Sequence, residues 1–339
     1  MKEDRNLLRY DLTSYMKEKA QFALKKFGQA ATVYITDPLL ISMLEDVKEY
    51  WKDNFRPAFA SLCCEAVGGQ PEATNDVSVM ITLVSAGGGI HDDIIDKSRS
   101  KHFRWTILGL HGSDYALLVG DLLILKGWTL AKDMVMKTRD PRKIAEIIEV
   151  FGKWTIDVCE AEFREISCKR NLDTEVEDYE EILRKSMADI EACAKLGAII
   201  GSGSQQEVNA LTKFGSSVGF LYRLLNEVND TLNKEFDLQD RLHFESVPLP
   251  ILYAAKHGKY SQIEDIINKS SIGKEDYVKL KEFCCETGAF KYIQVRAKKE
   301  NKEACQMLKK IRPSKAKIAL ELMISQRLLE INKSTQGNR

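Results

Sequence analysis

Three aspartates, at positions 92, 93 and 96, are the side chains of this sequence with the clearest capacity for chemistry. In a helix, Asp92 and Asp96 lie on one face about one turn apart, with Asp93 beside them. Carboxylates crowded at the C-terminal end of a helix repel one another and the helix dipole unless a divalent cation lies between them. Magnesium suits such a cluster, because it binds one or two carboxylates and completes its shell with water and phosphate oxygens. The cluster predicts a magnesium site that activates a diphosphate leaving group, with an exposed acidic helix end as the alternative.

The elements that must position this cluster are helices. Seven prolines and 20 glycines interrupt the chain so seldom that apolar residues recur at helical spacing over long stretches, and alternating strand patterns are nearly absent. The longest candidate helices cover residues 144–158, 179–200, 208–232 and 316–331. Breaks are predicted at 68–71, 138–141, 201–204 and 269–273. We therefore predict an all-α fold with one domain over residues 1–331 and a frayed polar tail over 332–339.

Composition narrows the classes of function. The 50 basic residues balance the 50 acidic ones, so no positive field favours nucleic acid as a partner. No segment approaches the roughly 20 apolar residues of a membrane span, and the charged N-terminus lacks the features of a secretory signal. The eight cysteines include the adjacent pairs Cys63-Cys64 and Cys284-Cys285; these pairs lack zinc spacing and are typical of buried thiols in a reducing compartment. We expect a soluble, cytoplasmic protein.

The segment Asp92-Asp93-Ile94-Ile95-Asp96 resembles the first aspartate-rich motif of the trans-isoprenyl diphosphate synthases, or polyprenyl synthetases, relatives of the class I terpene synthases. Further short landmarks of that family follow in its order: Phe55-Arg56-Pro57, Trp105-Thr106, Gly120-Asp121, Glu162, Lys185-Ser186, Leu196-Gly197-Ala198, the stretch from Gly219 to Asp230, and Pro248-Leu249-Pro250. The chain is similar to a divergent member. The resemblance implies the isoprenoid synthase fold, a bundle of ten or more helices around a central apolar cavity, and a homodimer. It also implies Mg²⁺ as cofactor and an allylic isoprenyl diphosphate as substrate.

The resemblance assigns catalytic residues where the motifs match. It implies that Asp92, Asp93 and Asp96 bind magnesium and the allylic diphosphate. Lys185 matches a lysine that contacts this diphosphate, and a compact positive charge suits that task. The alternative for Lys185 is a solvated position on an amphipathic helix.

A second metal motif is expected after Gly219, and this chain departs from it. The family's carboxylates match Asn226, Glu227 and Asp230, which leaves two acids and an amide that can still bind magnesium. An alternative register presents oxygen ligands one per turn and is similar to the second motif of the terpene cyclases. Its residues, besides the shared Asp230, are Asn229, Asn233 and Asp237.

The positions that bind the second substrate in this family, isopentenyl diphosphate, also differ. A lysine and an arginine that grip its diphosphate match Asp53 and Asn54, and a histidine two turns before the first motif matches Ser85. An acid would repel a diphosphate. We therefore expect weak binding of isopentenyl diphosphate.

A basic stretch follows the first motif. The family's paired arginines match Lys101 and His102, a weaker and pH-sensitive clamp for a diphosphate because the bidentate guanidinium geometry is lost. Arg99 and Arg104 are near enough to substitute for them. A solvated basic loop is the alternative.

The run Gly87-Gly88-Gly89 precedes the aspartates at a position that limits product length in the family. Glycine inside a helix is less favourable than alanine by about 1 kcal/mol, so three in a row need a reason. We predict an open pocket floor at Gly87 and Gly88 that accommodates a long isoprenoid. Tight helix packing at a subunit interface is the alternative.

Three functions follow. The first is an enzyme that ionises an allylic diphosphate and then cyclises the cation, quenches it, or passes it to an acceptor other than isopentenyl diphosphate. The second is a chain-elongating synthase of the geranylgeranyl type, in which Lys52, Arg56 or Arg99 replaces the missing contacts. The third is a non-catalytic subunit of a heteromeric prenyltransferase. The departures at Asp53, Asn54 and Ser85 favour the first.

Overall fold

The computed structural model describes residues 2–101, 104–137, 140–232 and 235–336. This part of the chain is almost entirely helical, which confirms the all-α prediction. The helices are, in chain order, α1 Lys2–Thr32, α2 Pro38–Tyr50, α3 Phe55–Ala66, α4 Asn75–Ile95, α5 Ile107–His111, α6 Ser113–Lys137, α7 Pro141–Ser167, α8 Val176–Lys185, α9 Ala188–Ile200, α10 Gln205–Leu232, α11 Glu235–Phe244, α12 Leu249–Ala254, α13 Tyr260–Ile267, α14 Lys274–Glu286, α15 Ala289–Leu308 and α16 Lys315–Gln336. Two short antiparallel strands, a 3₁₀ turn and a π turn complete the elements: β1 Ser100–Lys101, β2 Arg104–Trp105, Pro71–Thr74 and Ala255–Lys259.

Helix boundaries fall at the four predicted breaks. Non-helical segments separate α3 from the 3₁₀ turn, α9 from α10, and α13 from α14, and α6 ends at Lys137 while α7 begins at Pro141. The predicted helix over 179–200 is instead two helices, because Ser186 and Met187 form a turn between α8 and α9. Gly219 of α10 packs against this turn, where a Cβ would lie 2.9 Å from the Met187 Cβ. The turn and the glycine together allow α10 to approach closely.

Contacts between residues divide the chain into two compact units. The first comprises Met1–Gly152, Ala192–Thr212 and Leu308–Leu322, and the second comprises Lys153–Glu191, Lys213–Met307 and Met323–Arg339. The single domain over residues 1–331 stays a prediction.

The predicted polar tail begins inside a helix. Helix α16 continues to Gln336, and Thr335 in its last turn is buried. The Thr335 Oγ1 accepts a hydrogen bond of 2.7 Å from Gln294 Nε2 on α15. The last turn thus packs within the second unit, and the predicted frayed tail is wrong for residues 332–336.

The core of the first unit includes the packing of α4 along α6. Gly87 and Gly120 lie where the two helices approach closely, and a Cβ on Gly87 would lie 2.6 Å from the Gly120 carbonyl oxygen. A Cβ on Gly120 would lie 2.5 Å from the His91 ring. Buried apolar side chains, among them Leu83 and Leu123, fill the surrounding space. This packing holds the C-terminal half of α4, which carries the three aspartates, against α6.

In the second unit, an ion pair stacked on an aromatic ring ties α8 to α10 and α15. The Arg184 guanidinium lies 4.3 Å from the centroid of the Phe220 ring and donates to both carboxylate oxygens of Glu300 at 3.0 and 2.8 Å. Planar guanidinium groups suit both the stacked and the bidentate geometry. This contact fixes the end of α8, where Lys185 lies.

Two further observations concern the environment of the chain. Among the described residues, no helix is both long and apolar enough to cross a lipid bilayer. All eight cysteines are free thiols. Cys63 and Cys64 are both buried, whereas in the second pair Cys284 is buried and Cys285 is exposed.

Neighbouring glycines of α4 allow a matched test of the α4–α6 contact. Alanine at Gly88 meets no atom within 4 Å, so Gly88→Ala should raise the free energy of unfolding by up to about 1 kcal/mol through helix propensity. Gly87→Ala should lower it by about 1–3 kcal/mol, because the added methyl group forces α4 and α6 apart. Urea unfolding followed by circular dichroism measures both changes. Equal shifts of the urea midpoint in the two variants would contradict the packing described for Gly87.

Candidate active site

Helix α4 brings the three aspartates together at its C-terminal end. Asp92 and Asp96 lie one turn apart, and the Asp96 backbone N–H donates to the Asp92 carbonyl at 2.9 Å. Asp93 points into the protein and is 2% exposed. The Lys101 ammonium lies 2.8 Å from Asp93 Oδ1 and 3.1 Å from Asp92 Oδ2. A lysine therefore lies between two of the predicted metal ligands.

Opposing effects set the charges of this cluster. Burial raises the pKa of Asp93, although the Lys101 ammonium acts in the opposite direction. Burial lowers the pKa of Lys101, but the carboxylates of Asp92 and Asp93 outweigh it and hold that pKa well above its usual range. Lys101 is therefore a permanent positive charge that compensates its two neighbours.

A hydrogen-bonded loop delivers Lys101 to the aspartates. Thr106 is fully buried; its hydroxyl donates to the Ser98 carbonyl at 2.8 Å and accepts from the Gly109 N–H at 3.1 Å. The Thr106 N–H donates to the Arg99 carbonyl at 3.0 Å. These bonds close the loop that carries β1 and β2, and they begin α5.

The residues of the first cluster fit magnesium. Asp92 and Asp96 are partly exposed and supply carboxylate oxygens, which magnesium prefers. The Asp93 Oδ1 is buried and accepts no hydrogen bond of good geometry within the described residues, so its compensation is the nearby charge of Lys101. The Lys101 side chain is 33% exposed, so one side of this ion pair is open to solvent. Among the described residues, no three His, Cys, Asp or Glu side chains are already arranged as a metal site.

The remaining basic side chains after the motif are not arranged as a clamp. Arg104 donates from Nη1 to the Glu49 carbonyl at the end of α2, at 3.3 Å. Arg99 is exposed, and His102 lies outside the described residues. The contact of Lys101 with a diphosphate stays a prediction.

Asp53 has a local role that the sequence did not reveal. Its Oδ1 accepts from the backbone N–H groups of Phe55 and Arg56 at 2.8 and 3.3 Å, and its Oδ2 accepts from Arg56 Nη1 at 2.9 Å. Asp53 thus caps α3 and is neutralised by Arg56. Because Arg56 offsets the negative charge of Asp53, we expect Asp53 to repel a diphosphate less strongly than the sequence indicated. The contact of Arg56 with the substrate stays a prediction.

The three glycines of α4 differ in their surroundings. Gly87 packs against α6 and Gly89 against the Trp51 indole, whereas Gly88 has open space beside it. The prediction of an open pocket floor is wrong for Gly87, because helix packing within the chain fills that side. Ser85 lies one turn before Gly89. Its hydroxyl oxygen and the Trp51 Nε1 are both buried and have no hydrogen-bond partner among the described residues.

Lys185 lies at the end of α8 among carboxylates of its own unit. Its Nζ donates to Glu160 Oε2 at 2.6 Å and lies 3.9 Å from Asp157 Oδ1. On the same helix α7, Ile156 and Phe163 leave 67% and 73% of their surface exposed. Carboxylates of α7 thus compensate Lys185, and its contact with a diphosphate stays a prediction.

The second carboxylate cluster is organised around Glu227, which is completely buried. Its Oε1 accepts from Arg241 Nη2 at 3.0 Å and lies 3.6 Å from Arg223 Nε. Its Oε2 accepts from the Leu249 N–H at 2.7 Å and from the Tyr179 hydroxyl at 3.5 Å. Both oxygens are engaged, so the predicted metal ligand Glu227 instead belongs to an internal ion network.

Arg241 of α11 is the hub of this network and is 6% exposed. Its Nη2 donates to Glu165, Glu227, Tyr179 and Ser246 at 3.0–3.3 Å. Its Nη1 donates to Glu245 and lies 3.6 Å from Asp230 Oδ2. Its Nε donates to the Ser246 carbonyl at 3.2 Å.

The charges of the network depend on these contacts. Burial raises the pKa of Glu227, although Arg241 acts in the opposite direction. For Glu165, burial is outweighed by Arg223 and Arg241, which hold the pKa of that carboxyl below its usual value. The pKa of Arg241 is held well above its usual range, despite burial, chiefly by Glu227.

The other predicted ligands of the second motif are arranged differently. Asn226 is exposed, whereas Asp230 is partly exposed beside Arg241. In the alternative register, Asn229 accepts a hydrogen bond from Ser334 Oγ at 3.4 Å. Asn233 and the side chain of Asp237 lie outside the described residues.

The sequence contains a signal for this network that our reading missed. Arg223 and Glu227 are four residues apart on α10, and Arg241 and Glu245 are four residues apart at α11. Arginine and glutamate at this spacing meet on one helix face. Their third partner, Glu165, has no such local signal, because it lies 76 residues before Arg241.

The network should be more important for stability than an ion pair whose arginine is exposed. Arg241→Met leaves buried carboxylates uncompensated and should lower the free energy of unfolding by about 3–5 kcal/mol. The matched control is Arg312→Met, because the Arg312 side chain is 54% exposed and its partner Glu207, which is 11% exposed, also accepts hydrogen bonds from Ser204; the loss should amount to about 1 kcal/mol or less. Thermal and urea unfolding measure both. Comparable losses would contradict the central place of Arg241.

Known proteins are similar to this chain in sequence and in fold. The family model for polyprenyl synthetase matches residues 23–284. A short chain isoprenyl diphosphate synthase from Methanothermobacter thermautotrophicus is 30% identical over 205 residues, so that the match spans 60% of this chain and 62% of that protein. Geranylgeranyl pyrophosphate synthase 12 of Arabidopsis thaliana is 28% identical over 254 residues, which cover 69% of this chain and 67% of that protein.

Solved structures share the fold. The crystal structure of geranylgeranyl pyrophosphate synthetase from Pyrococcus horikoshii Ot3 superposes with a TM-score of 0.83 at 24% identity, covering 94% of this chain and 98% of that chain. At this identity the likeness supports the isoprenoid synthase fold alone. Because the family model covers most of the chain, the protein belongs to the polyprenyl synthetase family.

Proposed function

We propose that the protein is a magnesium-dependent prenyltransferase that lengthens an allylic isoprenyl diphosphate by adding isopentenyl diphosphate. The observation that carries the proposal is the first cluster, in which Asp92 and Asp96 present oxygen ligands at the end of a buried helix. Family membership and the names of the relatives, which are isoprenyl and geranylgeranyl diphosphate synthases, support elongation. Of the functions derived from the sequence, they favour the elongating synthase over an enzyme that uses another acceptor.

Different residues of the chain would have different roles in such a reaction. Magnesium, when bound by Asp92 and Asp96, would neutralise the diphosphate and make it a better leaving group. Lys101 would then be released from the carboxylates and become available to the diphosphate, which offers it new anionic partners.

A second candidate function keeps the ionisation step but transfers the cation to another acceptor or quenches it. The residues that match the family's isopentenyl diphosphate contacts favour this function. Asn54 donates to the Lys52 carbonyl at 3.0 Å, and the Asp53 carboxylate accepts backbone N–H groups of α3. Neither side chain offers a free positive charge to isopentenyl diphosphate. In the elongating enzyme that task falls to Lys52, Arg56 or Arg99.

A single assay separates the two functions. The purified protein is incubated with magnesium and geranyl, farnesyl or geranylgeranyl diphosphate, with and without isopentenyl diphosphate, and the products are analysed by mass spectrometry. We expect a longer isoprenyl diphosphate only when isopentenyl diphosphate is present. Release of diphosphate from the allylic substrate alone, without elongation in its presence, would favour the second candidate.

Variants of the first cluster provide the control for this assay. Asp92→Ala and Asp96→Ala should each lower the rate by about 100-fold or more, because a bound metal contributes several kcal/mol of charge stabilisation. Glu282→Ala removes an exposed carboxylate of α14 and should leave the rate unchanged. Turnover retained in both aspartate variants would show that the cluster is only an acidic helix end.

We further propose that two copies of the chain associate through α6. This helix exposes Leu117, Leu118 and Leu125 by 50%, 63% and 62%, an apolar strip that is unusual on the surface of a monomer. The resemblance to the family implies a homodimer, and a symmetric interface would cover the strip.

Light scattering after gel filtration tests the homodimer. The double variant Leu118→Glu with Leu125→Glu should shift the protein from dimer to monomer, because four like charges would meet in a twofold interface. Val278→Glu on α14 is the control, since Val278 is also 50% exposed but lies on another helix. A monomeric parent protein, or an unchanged dimer in the double variant, would contradict the proposal.

We also propose a cytoplasmic location. Its support is the state of the cysteines, all eight of which are free, with Cys159 and Cys285 exposed. Exposed free thiols are typical of proteins in a reducing compartment.

A further inference from the structure

The two carboxylate clusters hold their internal cations in different ways. Lys101 in the first cluster is 33% exposed, contacts two carboxylates and lies on a two-residue strand. Arg241 in the second cluster has a side chain that is 7% exposed, and all three of its guanidinium nitrogens are engaged. A lysine on a solvent-facing loop can move away from its partners, whereas an arginine enclosed by a helix core cannot do so without breaking many hydrogen bonds.

The Arg241 guanidinium lies between the two carboxylates of the predicted second metal motif. Its Nη2 is 3.0 Å from Glu227 Oε1, and its Nη1 is 3.6 Å from Asp230 Oδ2. The guanidinium therefore supplies positive charge to both carboxylates, which is what a metal ion would supply to them. A planar cation with donors on several sides satisfies both carboxylates at once.

The other oxygen of Glu227 is also unavailable. Glu227 Oε2 accepts the Leu249 N–H, which is buried at the start of α12. A metal ion on this oxygen would compete with that buried donor and with the Tyr179 hydroxyl for its lone pairs, and a metal ion on Oε1 would compete with Arg241. Asn226, the other predicted ligand, is exposed, and its neutral amide brings no negative charge to a metal ion.

The carboxylates of the network differ in their exposure to solvent. Glu165 and Glu227 face the guanidinium groups of Arg223 and Arg241 inside the protein. Asp230 is 35% exposed and lies beside the Nη1 of Arg241. Water screens a carboxylate in this position far better than one in the interior.

We infer that the Arg241 guanidinium takes the place of a metal ion in the second cluster, so that, of the two clusters described, only the first holds magnesium. This inference rests on the proposed function, because it concerns the metal that the proposed reaction uses. It makes Glu227 a residue that positions Arg241, and it removes Glu227 and Asp230 from the set of metal ligands.

Counting bound metal ions tests the inference without turnover. Mn²⁺ replaces magnesium as a spectroscopic probe, and inorganic pyrophosphate replaces the substrate head group. Electron paramagnetic resonance then measures free Mn²⁺ in titrations of the full chain, with protein-free pyrophosphate as the blank. The variants are Asp92→Asn in the first cluster and Glu227→Gln and Asp230→Asn in the second, and the thermal midpoint of each confirms that it is folded.

The expected results differ sharply between the clusters. Asp92→Asn should weaken Mn²⁺ binding at least 10-fold. Glu227→Gln should lower the thermal midpoint, yet both it and Asp230→Asn should bind as many ions as the parent, with dissociation constants within 2-fold. The inference would be overturned if either second-cluster variant lost one bound ion per chain or bound Mn²⁺ 10-fold more weakly. Unchanged Mn²⁺ binding in Asp92→Asn would also overturn it. If Glu227→Gln does not fold, the partly exposed Asp230→Asn decides alone.

The outcome is distinct from that of the elongation assay. If no allylic substrate is lengthened but Mn²⁺ binding is weakened by Asp92→Asn and not by the second-cluster variants, the proposed function fails and the inference stands. If elongation proceeds but Asp230→Asn loses a bound ion, the function stands and the inference fails.

Discussion

Compensation of carboxylates by basic side chains is the interaction on which the arrangement of both clusters depends. A carboxylate removed from water is stable only when opposite charge and hydrogen bonds surround it. Asp93 meets this requirement through Lys101, and Glu227 meets it through Arg241. The elements that supply these cations are a two-stranded hairpin in the first unit and helix α11 in the second.

The same interaction has opposite consequences in the two clusters because the cations differ in exposure. Lys101 compensates the buried Asp93 and the partly exposed Asp92, so the cluster keeps one side open to solvent. Arg241 is enclosed and shared among several acceptors, and it makes Glu227 part of the core. Two similar patterns of acidic residues thus have different surroundings, which depend on partners that lie elsewhere in the chain.

The sequence predicted the helices, their breaks and the first cluster, because these follow from local periodicity, breaker residues and spacing within one helix. It did not predict the turn at Ser186 and Met187, which accompanies the approach of α10 at Gly219. It also misassigned Asp53, which caps α3, and Gly87, which packs on α6. Each of these roles depends on contacts that pattern alone does not contain. The role of Glu227 was the hardest to foresee, since its neighbours come from four different helices.

The end of the chain illustrates how far such tertiary contacts reach. Helix α16 runs to Gln336, and Thr335 in its last turn is held by Gln294. Its backbone amides are therefore protected by packing as well as by helix hydrogen bonds. In native-state hydrogen exchange, residues 332–336 would open together with the second unit rather than exchange as a fraying end. The C-terminal turn would then report on the integrity of the unit that contains Arg241.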